Sequence, residues 1–378
     1  MEALLWYNAG MIEAAIVGCG VIAPTHAKAL ELDGRAHIRW ACDTDPATKG
    51  RVQAERFTTR FEEVLADPQV QVVHICTPHQ LHAEQAIAAL AAGKHVVCEK
   101  ALATTPADIT RMVAAAAAKP HLVASGIFQH RFSPLSRRLT ELLHGGDFGR
   151  IERITTSFAC TRNAGYYASG PWRGKWAGEG GGLLINQAIH TLDTALGFLG
   201  LPTTVAAEMA RKRLTTVEIE DSAKLTISGA NGAVLDFSAE NDQVTGWENR
   251  ITVTASGGSF TLRTDEHLAE LDHPSTALLT ELWALEKLDL KGMALPGKAC
   301  YGDQHAWQIQ DCLSAIGAGR KPRVDFAAAA IPNRVVLAAY HSAANRGAPV
   351  ALADLDRVAF TRPSLSSAAV PRTTGSGA

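Results

Sequence analysis

Long apolar runs and a strong net charge are both missing from this sequence of 378 residues. No apolar stretch approaches the roughly 20 residues that a membrane-spanning helix needs. The formal net charge is −2, which gives no broad attraction to nucleic acid or to an anionic membrane. Residues 1–18 contain no basic segment and no small-residue cleavage site, so we expect no signal peptide and a cytoplasmic protein.

Cysteine is scarce and shows no pairing pattern. The seven cysteines form no C-x-x-C pair, and their number is odd. This predicts reduced thiols rather than a disulfide framework or a zinc ribbon. Several cysteines lie inside apolar runs such as VVHIC at 72–76, where the side chain serves as a small hydrophobic group.

The residues that are present predict a two-domain globular protein, since one domain averages about 150 residues. Strand-like apolar runs alternate with helix-like segments in the first third of the chain. The strand-like runs are 14–17, 36–43, 71–78, 94–100 and 121–128, and the helix-like segments are 25–32, 46–56, 61–67, 81–93 and 107–118. This alternation predicts an α/β fold with a parallel, doubly wound sheet.

A glycine-rich turn follows the first strand-like run. The sequence GCGVIA at 18–23 fits G-x-G-x-x-[GA], in which the first glycine permits the tight turn and the second lets the backbone approach a pyrophosphate. We expect the dinucleotide to contact Gly18, Gly20, Val21 and Ile22. Asp43 ends the second strand-like run, where an acid bonds the adenosine ribose hydroxyls and disfavours a 2′-phosphate. The turn therefore favours NAD over NADP. FAD and S-adenosylmethionine are bound by similar turns, and Asp43 alternatively starts the turn DTDP.

The second half has a different pattern. Beyond about residue 126, β-rich segments separated by Gly, Asn or Asp predict antiparallel strands with one buried face, and residues 224–237 predict a hairpin. We predict a dinucleotide-binding Rossmann domain at 11–126 and a second α/β domain at 127–362. Residues 363–378 have little to bury and are predicted to be a disordered tail.

A predicted helix at 183–199 follows the glycine turn 180–182. Its apolar residues form one stripe, and Asn186, His190 and Asp193 form a neighbouring stripe within about 60° of arc. A polar stripe beside a buried apolar stripe is typical of a helix that lines an active site. The alternative is an ordinary solvated face.

Three segments closely resemble signatures of the glucose–fructose oxidoreductase/inositol dehydrogenase family, also called Gfo/Idh/MocA. They are TPHQLHAEQAIAALAAGKHVVCEKAL at 77–102, GEGGGLLINQAIHTLD at 178–193, and IGAGRKPRVD at 316–325 with SAANRGAPVAL at 342–352. The resemblance covers residues 12–354. It implies a Rossmann domain, then an α/β domain whose mostly antiparallel open sheet serves homodimer or homotetramer contacts. It also implies oxidation or reduction of a secondary alcohol of a sugar, sugar derivative or cyclitol with NAD(H).

Alcohol oxidation needs a hydride acceptor and a group that removes the hydroxyl proton. The nicotinamide takes the hydride, and His190 has a suitable intrinsic pKa for the proton. Lys100 follows a parallel strand and can bond the reacting oxygen, so we propose Lys100 and His190 as the catalytic pair. The resemblance places Thr77, Pro78, His82 and Glu99 around the nicotinamide half of the cofactor.

Substrate contacts are expected from the loop YYASGPWRGKWAGEGGG and the helix behind it. Aromatic rings pack on the C–H face of a pyranose, while cationic groups bond hydroxyls or an anion. The expected residues are Lys100, Tyr167, Trp172, Arg173, Asn186, His190 and Asp193. The aromatic residues alternatively anchor the loop.

Two departures from the family pattern stand out. Ala101 occupies the place of proline in E-K-P, and Asn186 occupies a position that is often Asp. An amide cannot take a proton or stabilise an imidazolium by charge, which puts an Asp–His relay in doubt. Asn-Gln here resembles the branch that includes nucleotide-sugar 3-dehydrogenases.

Three readings of function stay open, and none involves a metal. They are an NAD(H)-dependent sugar or cyclitol dehydrogenase, a keto-sugar reductase working in the opposite direction, and a non-catalytic dinucleotide- or sugar-binding sensor. His74, His79 and His82 lie in a strand or beside the predicted cofactor loop, so we predict no metal site there.

Overall fold

A computed structural model describes residues 10–264, 267–289 and 302–365 of the chain. It divides into two compact units. The first comprises the described residues within 10–147 and 273–334, and the second comprises those within 148–272 and 335–365. This differs from the predicted division, which assigned residues 127–147 and 273–334 to the second domain.

The described residues contain fourteen strands and ten α-helices. The strands are Ile12–Val17 (β1), Ala36–Cys42 (β2), Arg56–Thr58 (β3), Val72–Ile75 (β4), His95–Cys98 (β5), Ala124–Gly126 (β6), Ile151–Cys160 (β7), Pro202–Ala210 (β8), Ser222–Gly229 (β9), Val234–Asn241 (β10), Trp247–Ala255 (β11), Gly258–Arg263 (β12), His267–Asp272 (β13) and Val350–Ala351 (β14). The helices are Ala23–Asp33 (α1), Phe61–Ala66 (α2), His82–Ala91 (α3), Pro106–Ala117 (α4), Pro134–Gly145 (α5), Ala164–Ala168 (α6), Ile189–Leu199 (α7), Thr276–Asp289 (α8), Gly302–Ala318 (α9) and Phe326–Ala344 (α10).

The first unit is built on a six-stranded parallel sheet in the order β3-β2-β1-β4-β5-β6. Strands β1 and β4 are buried almost throughout, as expected for a sheet covered on both faces. Strands β2 and β3 extend the sheet on one side of β1, and β4, β5 and β6 extend it on the other side. The strand order therefore reverses at β1, where a doubly wound sheet binds its ligand. The predicted Rossmann class is confirmed.

Local signals set the ends of these helices. Helix α1 starts with Pro24 in its first turn and ends at Gly34, whose φ of 74° is left-handed. The side chain of Thr105 accepts a hydrogen bond from the Asp108 N–H and caps α4, and Ser133 caps α5 by accepting from the Ser136 N–H. The sequence therefore specifies these helix ends without tertiary help.

The late helix α9 explains why the first unit is discontinuous. Ala306, Ile309 and Cys312 of α9 lie in one apolar cluster with Ala29 and Leu30 of α1. Ile309 and Leu30 are fully buried. The apolar face of α9 therefore completes the core of a unit whose sheet is encoded almost 200 residues earlier.

The second unit contains an eight-stranded sheet in the order β13-β12-β11-β7-β10-β9-β8-β14. All its neighbours are antiparallel except β10 and β7, which run parallel. Strand β10 alternates buried and half-buried side chains, which gives the sheet one inward face. The predicted mostly antiparallel sheet and the hairpin of β9 and β10 are confirmed.

Two predicted helices are corrected. The segment 46–56 forms only the short turn Pro46–Thr48 and then runs into strand β3, because Gly50, with a φ of 90°, turns the chain away from a helix. The predicted continuous helix 183–199 is a π-helical turn at Leu184–Ala188 followed by α7. The widened turn changes the angular positions that the predicted polar stripe assumed.

The remaining expectations concern termini, thiols and membranes. Residues 366–378 of the predicted tail and Cys300 lie outside the described residues. The six described cysteines are buried free thiols. None of the described helices is both long and apolar enough to span a bilayer.

Candidate active site

The glycine turn lies directly after β1 in the first unit. Gly18 has a φ of 89°, and a Cβ on it would lie 2.7 Å from the carbonyl carbon of Cys76, so only glycine fits there. A Cβ on Gly20 would meet no atom within 4 Å. Within the described part of the chain, the N–H groups of Gly20 and Val21, which precede α1, donate no hydrogen bond. These N–H groups at a helix start form a place for a phosphate.

Asp43 follows β2 and ties the glycine turn in place. Its Oδ2 accepts from the Cys19 N–H at 2.7 Å, and its Oδ1 accepts from the Asp45 N–H at 2.9 Å. Carboxylate oxygens accept more than one hydrogen bond, so each retains capacity for a ribose hydroxyl. Burial, with the charge of Asp43, raises the pKa of the Cys19 thiol to about 11, which keeps it neutral.

Thr77, Pro78 and His82 form the next loop of the same unit, beyond β4. The Nε2 of His82 lies 2.7 Å from the Thr77 carbonyl oxygen, and its Nδ1 lies 2.7 Å from the Ala101 carbonyl oxygen. Burial lowers the pKa of His82, and the two carbonyls oppose that effect. His82 therefore joins the loops that follow β4 and β5, while the Thr77 hydroxyl donates to Gln85 at 2.6 Å.

Glu99 is the centre of a buried polar cluster after β5. His26 Nε2 lies 2.9 Å and His305 Nε2 lies 3.5 Å from Glu99 Oε1, and His26 Nδ1 lies 2.9 Å from His74 Nδ1. Burial alone would raise the pKa of Glu99, but His26 and His305 lower it well below its usual range. The ligating atoms of His26, Glu99 and His305 lie within 4.8 Å of one another, and mutual hydrogen bonds account for the closest of these contacts.

Lys100 is half-buried and follows this carboxylate directly. Its backbone N–H donates to Glu99 Oε2 at 3.2 Å, and the peptide bond to Ala101 is cis. Because β5 is parallel to β1, Lys100 and Gly18 both leave the carboxyl end of the same sheet. The predicted cofactor residues of the first unit are thus gathered at one sheet edge.

In the second unit, the buried carboxyl of Glu220 holds the start of the helix that carries His190. Its two oxygens accept from the N–H groups of Gly182 and Leu184, each at 2.9 Å, and from the Tyr340 hydroxyl at 3.0 Å. Complete burial raises the pKa of Glu220 to about 7, although these donors oppose the rise. A Cβ on Gly182 would lie 2.3 Å from the Glu220 carbonyl oxygen, which explains one glycine of the triplet.

Asn186 lies in the π-helical turn and is bound to a buried acid. Its Nδ2 donates to Glu179 Oε1 and, at 3.2 Å, to the Tyr166 hydroxyl. The other Glu179 oxygen accepts from the Gly174 N–H at 2.6 Å. Asn186 has no carboxylate, but its amide is hydrogen-bonded directly to the carboxylate of Glu179.

Tyr166 is surrounded by donors and two arginines. Its hydroxyl also contacts Gln187 Nε2 at 2.9 Å and Arg173 Nη1. The guanidinium carbons of Arg162 and Arg173 lie 5.0 Å and 4.4 Å from its ring centroid. Burial raises the pKa of this phenol, so it stays protonated and polar.

The other predicted substrate residues have diverse surroundings. His190 and Asp193 lie in α7 and are buried, with 8% and 2% of their surface exposed. Trp172 is half-buried under the Arg173 guanidinium. Tyr167 is buried in an apolar cluster with Leu214 and Ile219, as expected for the anchoring alternative. The predicted polar stripe is not a solvated face.

Sequence reasoning missed several polar groups of these sites. His26, Glu179, Arg162 and Glu220 each act through partners that lie 7 to 73 positions away along the chain. The one local signal was Glu179 itself, an acid beside the glycine triplet. His305 likewise contacts Glu99 from a distant segment of the first unit.

Comparison with known proteins decides the family. Residues 12–127 match the family model described as "Oxidoreductase family, NAD-binding Rossmann fold", and residues 136–261 match the "GFO/IDH/MocA C-terminal domain". The D-glucoside 3-dehydrogenase of Escherichia coli strain K12 is 32% identical over 247 residues, which cover 59% of this chain and 68% of that protein. The chain belongs to the Gfo/Idh/MocA family of oxidoreductases. The resemblance inferred from the motifs is confirmed.

Two further relatives extend the comparison of this Gfo/Idh/MocA protein. The 1-carboxy-3-chloro-3,4-dihydroxycyclo hexa-1,5-diene dehydrogenase of Comamonas testosteroni is 31% identical over 251 residues, 62% of this chain and 61% of that protein. The crystal structure of the WlbA dehydrogenase of Bordetella pertussis with NADH and UDP-GlcNAcA has a TM-score of 0.83 and 25% identity. That match covers 91% of this chain and 98% of the other.

The dinucleotide turn of this Gfo/Idh/MocA protein fits NAD on its own geometry. Gly20 leaves open space beside the N–H groups that precede α1, and Asp43 sets a carboxylate where a 2′-phosphate would meet negative charge. The first unit is thus the NAD-binding domain of the family, and the prediction of NAD is confirmed.

Proposed function

We propose that this protein oxidises a secondary alcohol of a sugar, a sugar derivative or a cyclitol, with NAD as the hydride acceptor. Relatives named for a glucoside and for a dihydroxy ring compound support a cyclic polyol substrate. Bound NAD supplies the hydride chemistry at its nicotinamide carbon. The chain's own residues supply the cradle for the dinucleotide, the contacts to the alcohol and the path for its proton.

The position of Lys100 is the observation that carries this proposal. It follows β5 at the carboxyl end of the sheet whose β1 ends in Gly18, and Thr77 and His82 follow the strand between them. An ammonium at that edge can bond the reacting oxygen and stabilise the negative charge that develops as the proton leaves. Glu99 holds the backbone of Lys100 and thereby restricts where the side chain starts.

His190 is proposed as the second acid–base group. It follows the π-helical turn that Glu220 holds, and α7 is buried around it. Its intrinsic pKa suits proton transfer near neutral pH. Asn186 cannot serve as its charged partner, so the proposal assigns Asn186 to orientation of a substrate hydroxyl and the proton to His190 and Lys100.

Turnover by single variants tests these roles. With NAD and a panel of sugars and cyclitols, we expect growth of the NADH absorbance band. We expect Lys100→Ala and His190→Ala each to lower kcat by about 100-fold or more, since positioned acid–base groups contribute at least that much. Each variant should still bind NADH, and Lys119→Ala, on the turn after α4, should behave as wild type.

Three results would contradict parts of the proposal. Near-normal turnover by either variant removes that residue from the chemistry. Faster conversion of keto-sugars with NADH at physiological cofactor ratios favours the reductase direction. Tight NADH binding with no turnover in either direction favours a sensor.

We also propose that the protein forms a homodimer or homotetramer through the eight-stranded sheet. One face of that sheet carries a groove of about 390 Å³ lined by residues of β7, β9, β10 and β11. Residues such as Thr155, Thr226 and Thr252 line it and offer hydroxyl groups across a symmetric interface. Light scattering of wild type and of Thr226→Arg should show an oligomer that the variant weakens, and a monomeric wild type would refute the proposal.

A further inference from the structure

Two guanidinium groups of the second unit lie against one aromatic residue that also contacts the proposed catalytic helix. Both guanidinium groups also contact a tryptophan. The guanidinium carbon of Arg162 lies 5.4 Å from the Trp247 ring centroid, and that of Arg173 lies 4.4 Å from the Trp172 ring centroid. Both arginines are half-buried. We call these two side chains with Tyr166 the arginine bracket.

No carboxylate of the described residues forms an ion pair with the arginines of the bracket. Among the described residues, neither Arg162 nor Arg173 forms an ion pair with a carboxylate, whereas Arg35, Arg39 and Arg138 each do. Arg162 donates instead to neutral oxygens, at 3.0 and 2.6 Å to Gln187 Oε1 and at 3.0 Å to the Thr161 carbonyl. Arg173 donates to the Tyr166 hydroxyl.

The acid nearest along this hydrogen-bond network is bonded to groups outside the bracket. Glu179 is directed to the Gly174 N–H and to the Asn186 amide. Two half-buried guanidinium groups at one ring, neither in an ion pair among the described residues, are electrostatically unfavourable, and a bound anion would relieve that cost. Gln187 and the aromatic rings fix the guanidinium planes, which reduces the entropy lost when an anion binds.

The bracket is joined to the helix that carries His190. Asn186 and Gln187 both donate to the Tyr166 hydroxyl, and His190 follows them by one turn. A substrate anion on the bracket would therefore be held one helical turn from the proposed base.

We propose that the substrate carries an anionic group, a sugar carboxylate or a phosphate, and that Arg162 and Arg173 bind it. This rests on the proposed function and narrows its substrate class to acidic sugars or sugar phosphates. The planar guanidinium forks match carboxylate and phosphate oxygens equally well. The test therefore contains one arm for each source of negative charge.

The experiment compares neutral and anionic versions of the same sugar. Turnover of NAD is measured with glucose, glucuronate, glucose 1-phosphate and a uridine diphosphate sugar. We expect KM for at least one anionic sugar to be about tenfold or more below that for glucose, because charge-assisted hydrogen bonds are the strong ones. Preference for glucuronate identifies the carboxylate source, and preference for the phosphorylated sugars identifies the phosphate source.

Variants separate anion binding from other roles of the loop. Arg162→Gln and Arg173→Gln should raise KM for the preferred anionic sugar by about ten- to a hundredfold, a larger factor than any change in KM for glucose. Arg162→Lys keeps the positive charge but loses the planar guanidinium. Its KM for the anionic sugar should therefore lie between those of wild type and Arg162→Gln. Arg263→Gln on β12 is the matched control and should leave every KM unchanged.

Binding decides the question if no sugar is turned over. The unfolding temperature of the NADH-loaded protein is then measured with glucuronate, glucose 1-phosphate and uridine diphosphate, and at least one should raise it in wild type but not in Arg173→Gln. The inference is overturned if no anionic probe binds, or if anionic and neutral sugars share one KM that the arginine variants do not change. Turnover of neutral sugars alone would refute this inference and leave the proposed function standing.

Discussion

At the scale of single residues, the Glu179–Asn186 pair places an acid at position 179 beside an amide at position 186. The amide of Asn186 donates to Glu179, and both side chains are buried. An Asp at 186 would place two carboxyl groups in hydrogen-bond contact, where both cannot ionise without strong repulsion. The pair therefore accounts for an amide at a position that is often Asp in the family pattern.

The first prediction exchanges the charge across this pair. Asn186→Asp alone should lower the free energy of unfolding by about 1–3 kcal/mol at neutral pH, because a buried acid loses its donor and gains a repelling neighbour. The double variant Asn186→Asp/Glu179→Gln restores one acid and one amide and should recover most of that loss. Denaturant unfolding measures both, and equal instability of the single and double variants would contradict the pairing.

The sequence predicted those site residues whose roles depend only on their immediate neighbours along the chain. The Gly18 turn, Asp43 and the Glu99-Lys100 pair each depend on a few consecutive residues after a strand, so the motif predicted them. The contacts of His26 and His305 with Glu99 join three distant segments. No spacing rule connects such residues, since they meet only after the sheet and α9 have packed.

At the scale of elements, the π-helical turn at Leu184–Ala188 depends on an acid from elsewhere in the second unit. Glu220 accepts from the Leu184 N–H, and Gly182 leaves room for the Glu220 backbone. A periodicity of about 100° per residue describes an α-helix and cannot anticipate a widened turn that an acid 36 positions away holds in place. The strands and α1 to α4 were easier, because their own apolar patterns and caps define them.

The second prediction is a pH dependence from Glu220. The usual glutamate pKa of 4.5 applies to the unfolded chain, and burial raises the pKa of Glu220 to about 7 in the folded chain. Between these values the folded state keeps a proton that the unfolded state releases, so stability falls as pH rises through this window. The contribution of protonated Glu220 to the free energy of unfolding is complete below pH 4.5 and lost above pH 7. It amounts to roughly 3 kcal/mol.

A matched pair of variants isolates this effect. The free energy of unfolding of wild type minus that of Glu220→Gln should decrease between pH 4.5 and pH 7. Exposed Glu218 is the control, and Glu218→Gln should follow wild type in slope. A pH-independent difference for Glu220→Gln would show that its carboxyl ionises like one in water.

At the scale of the whole molecule, the chain returns to its first unit after building the second. Helix α9 fills the core of the NAD-binding unit, although the sequence pattern placed residues 127–362 in one later domain. Composition changes mark where a strand pattern ends, but they do not record which core a later amphipathic helix joins. That choice depends on complementary apolar surfaces, such as those of α1 and α9.

The third prediction tests this return. Ile309 of α9 is fully buried in the apolar cluster with Leu30, so Ile309→Ala should lower the free energy of unfolding by about 2–5 kcal/mol. Ile331 of α10 is 36% exposed, and Ile331→Ala should cost about 1 kcal/mol or less. Equal effects of the two substitutions in denaturant unfolding would contradict the placement of α9 in the core.

The most direct measurement is the unfolding temperature of the protein with increasing NADH and, separately, NADPH. The account predicts a rise that grows with NADH concentration, a smaller rise with NADPH, and a weaker preference for NADH in Asp43→Asn, because the carboxylate disfavours a 2′-phosphate. An unfolding temperature that neither dinucleotide changes would contradict the account.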